Sequence, residues 1–445
     1  MPDCHVFSGC LFYAEHLEHF QQGTTAVASG VANLVERIRF AGFGNRVTKV
    51  TALCDGYRYP AFETITMATQ MPAPSELPSL PQLSLADLPT GKPKKKLVRR
   101  LGVDRSQLYR RSFQFGFLLL NLWLGARFYF WVRQFEVGGF SVGVERPAGV
   151  EGWLPIAGLM NLKYWLLSGQ IPRVHPAAMF LLLTFLAMSF LFRKAFCSWL
   201  CPIGTISEYL WRAGRRLFGR NFFLPRWLDL PLRGLKYFLL GFFVWAISTM
   251  SVAGIRDFMQ SPYGLIADVK MLNFFRHIGE TGLIVIGVFA LASVFVPNFW
   301  CRFLCPYGAL LGLTSWLSPT RIRRVPGPCI DCAKCAKACP AALPVDKLVS
   351  IRSVECTGCM ECVAVCPAQD ALSLSLPALL PNAARAAKKP LALPAWAMVA
   401  GIAALFLGVA GFAKVTGHWQ SLIPHSAYQE LIPHADQAAH PMPTR

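Results

Sequence analysis

CIDCAKCAKACP, from Cys329 to Pro340, and CTGCMECVAVCP, from Cys356 to Pro367, share one spacing, C-x2-C-x2-C-x3-C-P. A cubane iron–sulfur cluster needs four thiolates converging on its irons, and three can come from one short loop wrapped over a cube face. The fourth comes from the other run, because the Cys-Pro residue turns away to begin a different segment. Cys329, Cys332, Cys335 and Cys366 are therefore expected to hold one [4Fe–4S] cluster. Cys356, Cys359, Cys362 and Cys339 are expected to hold a second. The stretch 341–355 between the runs suits a turn or one short helix. Zinc sites and disulfide frameworks are rarely built from two identical four-cysteine runs ending in proline.

Upstream, FCSWLCPIG (Phe196 to Gly204) and WCRFLCPYG (Trp300 to Gly308) share C-x3-C-P-x-G. Each follows an apolar run, which marks a parallel internal repeat. On a helix, residues i and i+4 lie on one face, so each pair presents two sulfurs together. Proline then suits the first turn of a following helix. Cys197, Cys201, Cys301 and Cys305 are a candidate third iron–sulfur site. The competing readings are two pairs of redox-active thiols and a purely structural role.

The surrounding composition is that of a membrane protein: 54% hydrophobic and 15% charged residues. Five runs are expected to span a bilayer: Phe113–Trp131, Ala177–Phe192, Tyr237–Ala253, Thr281–Phe299 and Ala395–Ala413. Lys and Arg alternate across the segments that flank them, 9, 4, 9, 3, 11 and 2 in order. By the positive-inside rule the region before the first span and all four cysteine clusters are cytoplasmic, where thiolates stay reduced. The tail after Ala413 is then periplasmic. The formal charge of +20 reads as loop charge touching anionic lipid, as in KPKKK from Lys92 to Lys96, and not as nucleic-acid binding.

The expected organisation follows. Residues 1–66, with scattered Cys4, Cys10 and Cys54, are either a weakly ordered extension or sequence ahead of the true start, Met67 being an alternative. Residues 67–112 are Pro-rich and then basic, and 113–320 form a four-span core. A ferredoxin-like domain occupies 321–376, a linker 377–394, the fifth span 395–413, and a short tail 414–445. The expected fold is mainly α-helical, with about five transmembrane helices and a small α+β two-cluster domain. His175 and His277 lie near the outer membrane border, where a quinol head group could dock, though a lone interfacial His is usually solvated or capping. His418, His425, His434 and His440 lack ligand-like spacing. Neither a dinucleotide fingerprint nor a phosphate-binding P-loop is present.

Twin C-x3-C-P motifs at span ends, followed by a double ferredoxin run, resemble the polyferredoxin-like membrane family of NapH, NosR and CcoG. The resemblance covers roughly residues 91–418. SPYGLIAD (Ser261 to Asp268) and GHWQS (Gly417 to Ser421) look family-like without an assigned role. The resemblance implies a bacterial inner-membrane electron-transfer component and not a stand-alone enzyme. It would link the quinone pool, or a ferredoxin-like cytoplasmic donor, to a respiratory or periplasmic reductase system. The chain shows no counterpart of the flavin-binding domain of NosR, so no flavin is expected. Nor does it show the immunoglobulin-like domain of CcoG. The other functional class left open is a membrane thiol–disulfide reductase or metal-handling protein that uses the C-x3-C-P cysteines.

Overall fold

The computed structural model describes residues 97–137, 144–376 and 391–441. The expectations for 1–66, for 67–96 with its KPKKK stretch, and for the linker at 377–390 lie outside the described residues. The described chain is mostly helical. Its first half holds α1 (Ser106–Glu136), a 3-10 turn (Ala148–Trp153), α2 (Pro155–Ser168), α3 (Pro176–Phe192), α4 (Ala195–Trp199), α5 (Pro202–Phe218) and α6 (Arg226–Thr249). Then come α7 (Val252–Gln260), α8 (Pro262–Leu265), α9 (Ala267–Arg276), α10 (Glu280–Phe295), α11 (Phe299–Phe303) and α12 (Pro306–Trp316). The last part holds β1 (Arg321–Arg324), α13 (Lys334–Ala338), α14 (Glu361–Ala364), β2 (Leu372–Ser375), α15 (Ala395–Val415) and α16 (His425–Leu431).

Prolines start α2, α3, α5, α8 and α12, where a missing N–H costs nothing. Gly169 and Gly219 end α2 and α5 in the left-handed conformation that a side chain would disfavour.

Helices α1, α6 and α15 are each long and apolar enough to cross a bilayer. The pair α9 and α10 passes as a fourth only when taken together, and it is bent by 83° at its break. Helix α3 has 17 residues and is apolar on every side. A helix of that kind belongs inside a larger body, and α3 is indeed central, packed against α2, α12 and α15.

The repeat seen in the sequence is a repeat of structure. An apolar helix, a five-residue helix and a proline-started helix follow one another as α3–α4–α5 and again as α10–α11–α12. The two C-x3-C-P motifs therefore sit at matching corners. At the first corner, a Cβ added to Gly204 would lie 2.2 Å from the Cys197 carbonyl oxygen. Glycine is required there by close approach of backbone. At the second, the nearest atoms to an added Cβ on Gly308 stand at 3.6 Å, ordinary van der Waals contact.

The double run is closed by a two-stranded antiparallel sheet that pairs Arg321 with Ser375 and Arg324 with Leu372. The chain leading into α1 runs alongside it, with the Arg100 amide donating to Pro367 O at 3.1 Å and the Gln369 amide to Val98 O at 3.0 Å. One apolar cluster joins this segment to the helices. Ile322, Val345, Ile351 and Leu374 share it with Met188, Trp199 and Met398.

Candidate metal centres

Both four-cysteine runs follow the same backbone path. In the first, Asp331 and Ala333 have φ of 56° and 55°. At the equivalent positions of the second, Gly358 and Met360 have φ of 65° and 58°. Left-handed residues other than glycine are uncommon and cluster where a loop must clamp a ligand. Alternating hands turn successive backbone N–H groups to one side and make an anion-binding hollow of the kind found around iron–sulfur sites.

Cys366 interacts electrostatically with Cys329 and Cys332, and Cys335 interacts with Cys366. Cys362 interacts with Cys359, Cys339 and Cys356, so Cys339 of the first run lies near the cysteines of the second. Cys335 also reaches Cys362, which puts the two sets side by side. All twelve cysteines among the described residues are free thiols. No three His, Cys, Asp or Glu side chains among the described residues converge tightly enough to hold a single metal ion. A cubane keeps its ligands further apart than one ion does, because each thiolate meets a different iron. The donor chemistry, loop path and grouping fit two such clusters.

The C-x3-C-P cysteines come together as a third set. Cys301 interacts with Cys305, Cys201 and Cys197. Cys201 and Cys305 are the N-cap residues of α5 and α12, and the Gly308 amide donates to Cys305 Sγ at 3.2 Å. A helix N-terminus favours a thiolate at that position. Lys194 lies buried beside Cys197 and Cys305 and adds positive charge. Burial pushes the Cys197 thiol up to about 11 and the Cys201 thiol up to about 12. As free thiols they would stay protonated near neutral pH and react slowly, whereas metal coordination deprotonates a thiol outright.

A cavity of about 50 Å³ lies between this set and the second run, lined by Cys197, Cys301 and Cys359 with Lys194 and Glu355. The second run is pinned to its rim. Ser198 Oγ donates to Thr357 O at 2.7 Å, Trp199 Nε1 to Gly358 O at 3.3 Å, and Gln107 Nε2 to Cys359 O at 3.0 Å. Lys236 Nζ reaches both oxygens of buried Glu355 at 2.6 and 2.8 Å. Arg110 joins Glu208 of α5 at 2.6 Å to Glu361 of the second run at 2.9 Å, and Arg212 pairs with both acids.

The comparisons agree with this geometry. A model described as "4Fe-4S binding domain" matches twice, at residues 174–221 and 278–324, so each match covers one C-x3-C-P corner. A "4Fe-4S dicluster domain" model matches residues 321–367, the double run. YccM of Escherichia coli, named for electron transport, is 50% identical over 332 residues, which cover 75% of this chain and 92% of that protein. The chain belongs to the NapH- and NosR-type ferredoxin-like membrane proteins. The ferredoxin-type protein NapH of Haemophilus influenzae is 26% identical over 39% of this chain and 59% of its own length. The regulatory protein NosR of Stutzerimonas stutzeri is 30% identical over 35% of this chain and 21% of its own. No solved structure matches. In keeping with this family, the chain is a membrane electron-transport protein with 4Fe–4S domains, of a kind that works with redox partners.

The histidine expectations fare differently. His175 is fully buried, its Nε2 donating to Gly264 O at 2.9 Å and its Nδ1 lying 3.3 Å from Glu151. Its ring is not available to a quinol head group. His277 is exposed and lines a cleft of about 260 Å³ with Glu136, Arg276 and Asp436.

One cluster went unread in the sequence. Arg146 bonds Glu151 at 2.8 Å and Asp268 at 2.6 Å, while Ser421 Oγ donates to Glu151 at 2.7 Å. SPYGLIAD supplies Gly264 and Asp268, and GHWQS supplies Ser421. Those two unexplained stretches meet around His175 at the far end of α3 from the cysteines. Their joint appearance in the family resemblance was the one available hint.

Proposed function

We propose that this chain is a bacterial inner-membrane electron carrier with three iron–sulfur centres. Cys329, Cys332, Cys335 and Cys366 hold the first, Cys339, Cys356, Cys359 and Cys362 the second, and Cys197, Cys201, Cys301 and Cys305 the third. Each cluster, when bound, takes up and releases one electron without moving heavy atoms. The chain's own residues set burial, hydrogen bonding and charge around the sulfurs, which tune potential. The observation that carries this reading is the series of sulfur sets: one with an exposed cysteine and none buried, one mostly buried, and a third across a small cavity from the second.

The buried second set is excluded from water by α1, α4 and α6, and the amide-lined loops stabilise its negative charge. Lys194 and Lys236, set against the single carboxylate of Glu355, favour a negatively charged centre at Cys197 and Cys301. The alternation of basic segments supports five spans, counting α3, with the cysteine sets cytoplasmic and the tail periplasmic. On this reading electrons pass between the quinone pool or a cytoplasmic donor and a respiratory or periplasmic reductase system.

Iron analysis and EPR of the purified full chain test the proposal. About twelve irons per chain with all four C-x3-C-P thiols protected from alkylation is the expected result. About eight irons with those four alkylatable would overturn the third centre and favour thiol chemistry. Cys335→Ser should remove about four irons and one EPR component, with the helices still inserted. Retention of both ferredoxin-type signals would refute the ligand sets.

A further inference from the structure

The two runs are alike in sequence and loop path but unlike in surroundings. Cys339, Cys356 and Cys362 are buried, whereas Cys332 is exposed and no cysteine of its set is buried. Beside the first run lies a small apolar patch. Val325, Leu348 and Val349 are 37%, 40% and 58% exposed. Arg324 ties this patch to the run. Its amide donates to Val349 O at 2.8 Å, and its guanidinium donates to Leu348 O and to Asp331, each at 3.3 Å. Asp331 Oδ1 is in turn 3.6 Å from Cys329 Sγ.

The charge of this segment leans positive. Residues 321–376 contain seven Lys and Arg and five Asp and Glu. Two of the five acids, Glu355 and Glu361, are buried in ion pairs with Lys236, Arg110 and Arg212. Lys334, Lys337 and Lys347 are exposed and make no ion pair among the described residues. An apolar centre with a charged rim is the anatomy of a protein docking site, and weak electron-transfer encounters need only a small one.

We propose that this face, around Cys332, docks a soluble one-electron carrier with an acidic surface. The proposal rests on the electron-carrier reading. Charge complementarity selects the occupant, because lysines around a redox centre steer an acidic partner and orient it. On transfer, one electron leaves the carrier's reduced centre, which is oxidised, and enters the first-run site, which is reduced. No proton or ligand moves. The opposite direction uses the same surface.

The test uses the full chain, with its clusters, in nanodiscs of zwitterionic lipid. The probe is an acidic [2Fe–2S] ferredoxin, native for rates and gallium-substituted for binding without electron transfer. The wild type should bind the gallium form with an affinity that weakens steeply with salt. Lys334→Glu with Lys337→Glu and Lys347→Glu should weaken binding and slow reduction by the native ferredoxin at least roughly tenfold. Dithionite should still reduce the clusters of both proteins with the same EPR spectra. Binding and rate indifferent to salt and to the triple change would overturn the docking surface, while intact, reducible clusters would leave the electron-carrier reading standing. Wild-type protein without clusters would sink both. If the triple variant lost binding to anionic vesicles but kept its ferredoxin rate, the face would belong to lipid and the proposal would fail.

Discussion

Arg110 is wholly buried, yet its guanidinium meets Gln107 at 2.8 Å, Glu208 at 2.6 Å, Glu361 at 2.9 Å and the Ser198 carbonyl at 3.3 Å. Its planar fork can serve several acceptors at once, which an ammonium cannot do with the same geometry. Lys236 plays a simpler part against Glu355. Removing one member of a buried pair leaves the other charge unpaired, which costs about 3–5 kcal/mol. Glu355→Gln leaves the buried ammoniums of Lys236 and Lys194 facing each other and should therefore destabilise the purified chain by about that amount in a denaturation assay. Adding Lys236→Met should recover part of the loss. If the double variant were no more stable than the single one, the pair would not be what pins the second run. None of these partners could be read from sequence. Lys236 and Glu355 are separated by 119 positions, and no local pattern marks either. The cysteines were legible because ligand chemistry is written in spacing, whereas an ion pair between distant elements is written only in the fold.

At the scale of elements, the two Cys-Pro corners look equal in sequence and differ in space. Gly204→Ala drives a methyl into the Cys197 carbonyl and should cost about 1–3 kcal/mol by overpacking. Gly308→Ala should be close to neutral. Melting curves of the two variants decide it, and equal effects would contradict the asymmetry. At the other end of α3, the 3-10 turn, the α8–α9 corner and the tail meet around Glu151 and His175. Burial alone would raise Glu151, but Arg146 and His175 outweigh it and hold the carboxyl down at about 2. Burial would lower His175, yet Glu151 and Asp268 hold it above its usual range against the opposing charge of Arg146. Glu151 thus stabilises the fold above its unfolded value of about 4.3, and that contribution is lost as pH falls toward 2. His175 stabilises the fold below about 6.5, and that contribution is lost as pH rises through its raised value. Thermal stability should peak between these limits, and His175→Gln should flatten the alkaline side. An unchanged alkaline limb in that variant would exclude His175 from that contribution. Hydropathy located α3 but could not give its place, since an apolar run reads alike whether it faces lipid or the interior of a protein.

For the whole molecule, the alternation of basic segments makes a topological prediction. A reporter fused after Pro367 should be active only when cytoplasmic-type, and one fused after His418 only when periplasmic-type. The reverse pattern would invert the assignment. The 4Fe–4S motifs and the doubled corner were legible because repeated motifs carry their own register. The unequal exposure of the two runs was not, because it depends on which run meets α4 and α6. That inequality has a mechanical consequence. Bolted through Ser198, Trp199, Arg110 and Lys236, the second run has no swinging arm and no search to make. Transfer inside the chain is then a matter of fixed gaps, indifferent to the viscosity of the medium. Only the encounter at the open face has to wait on diffusion.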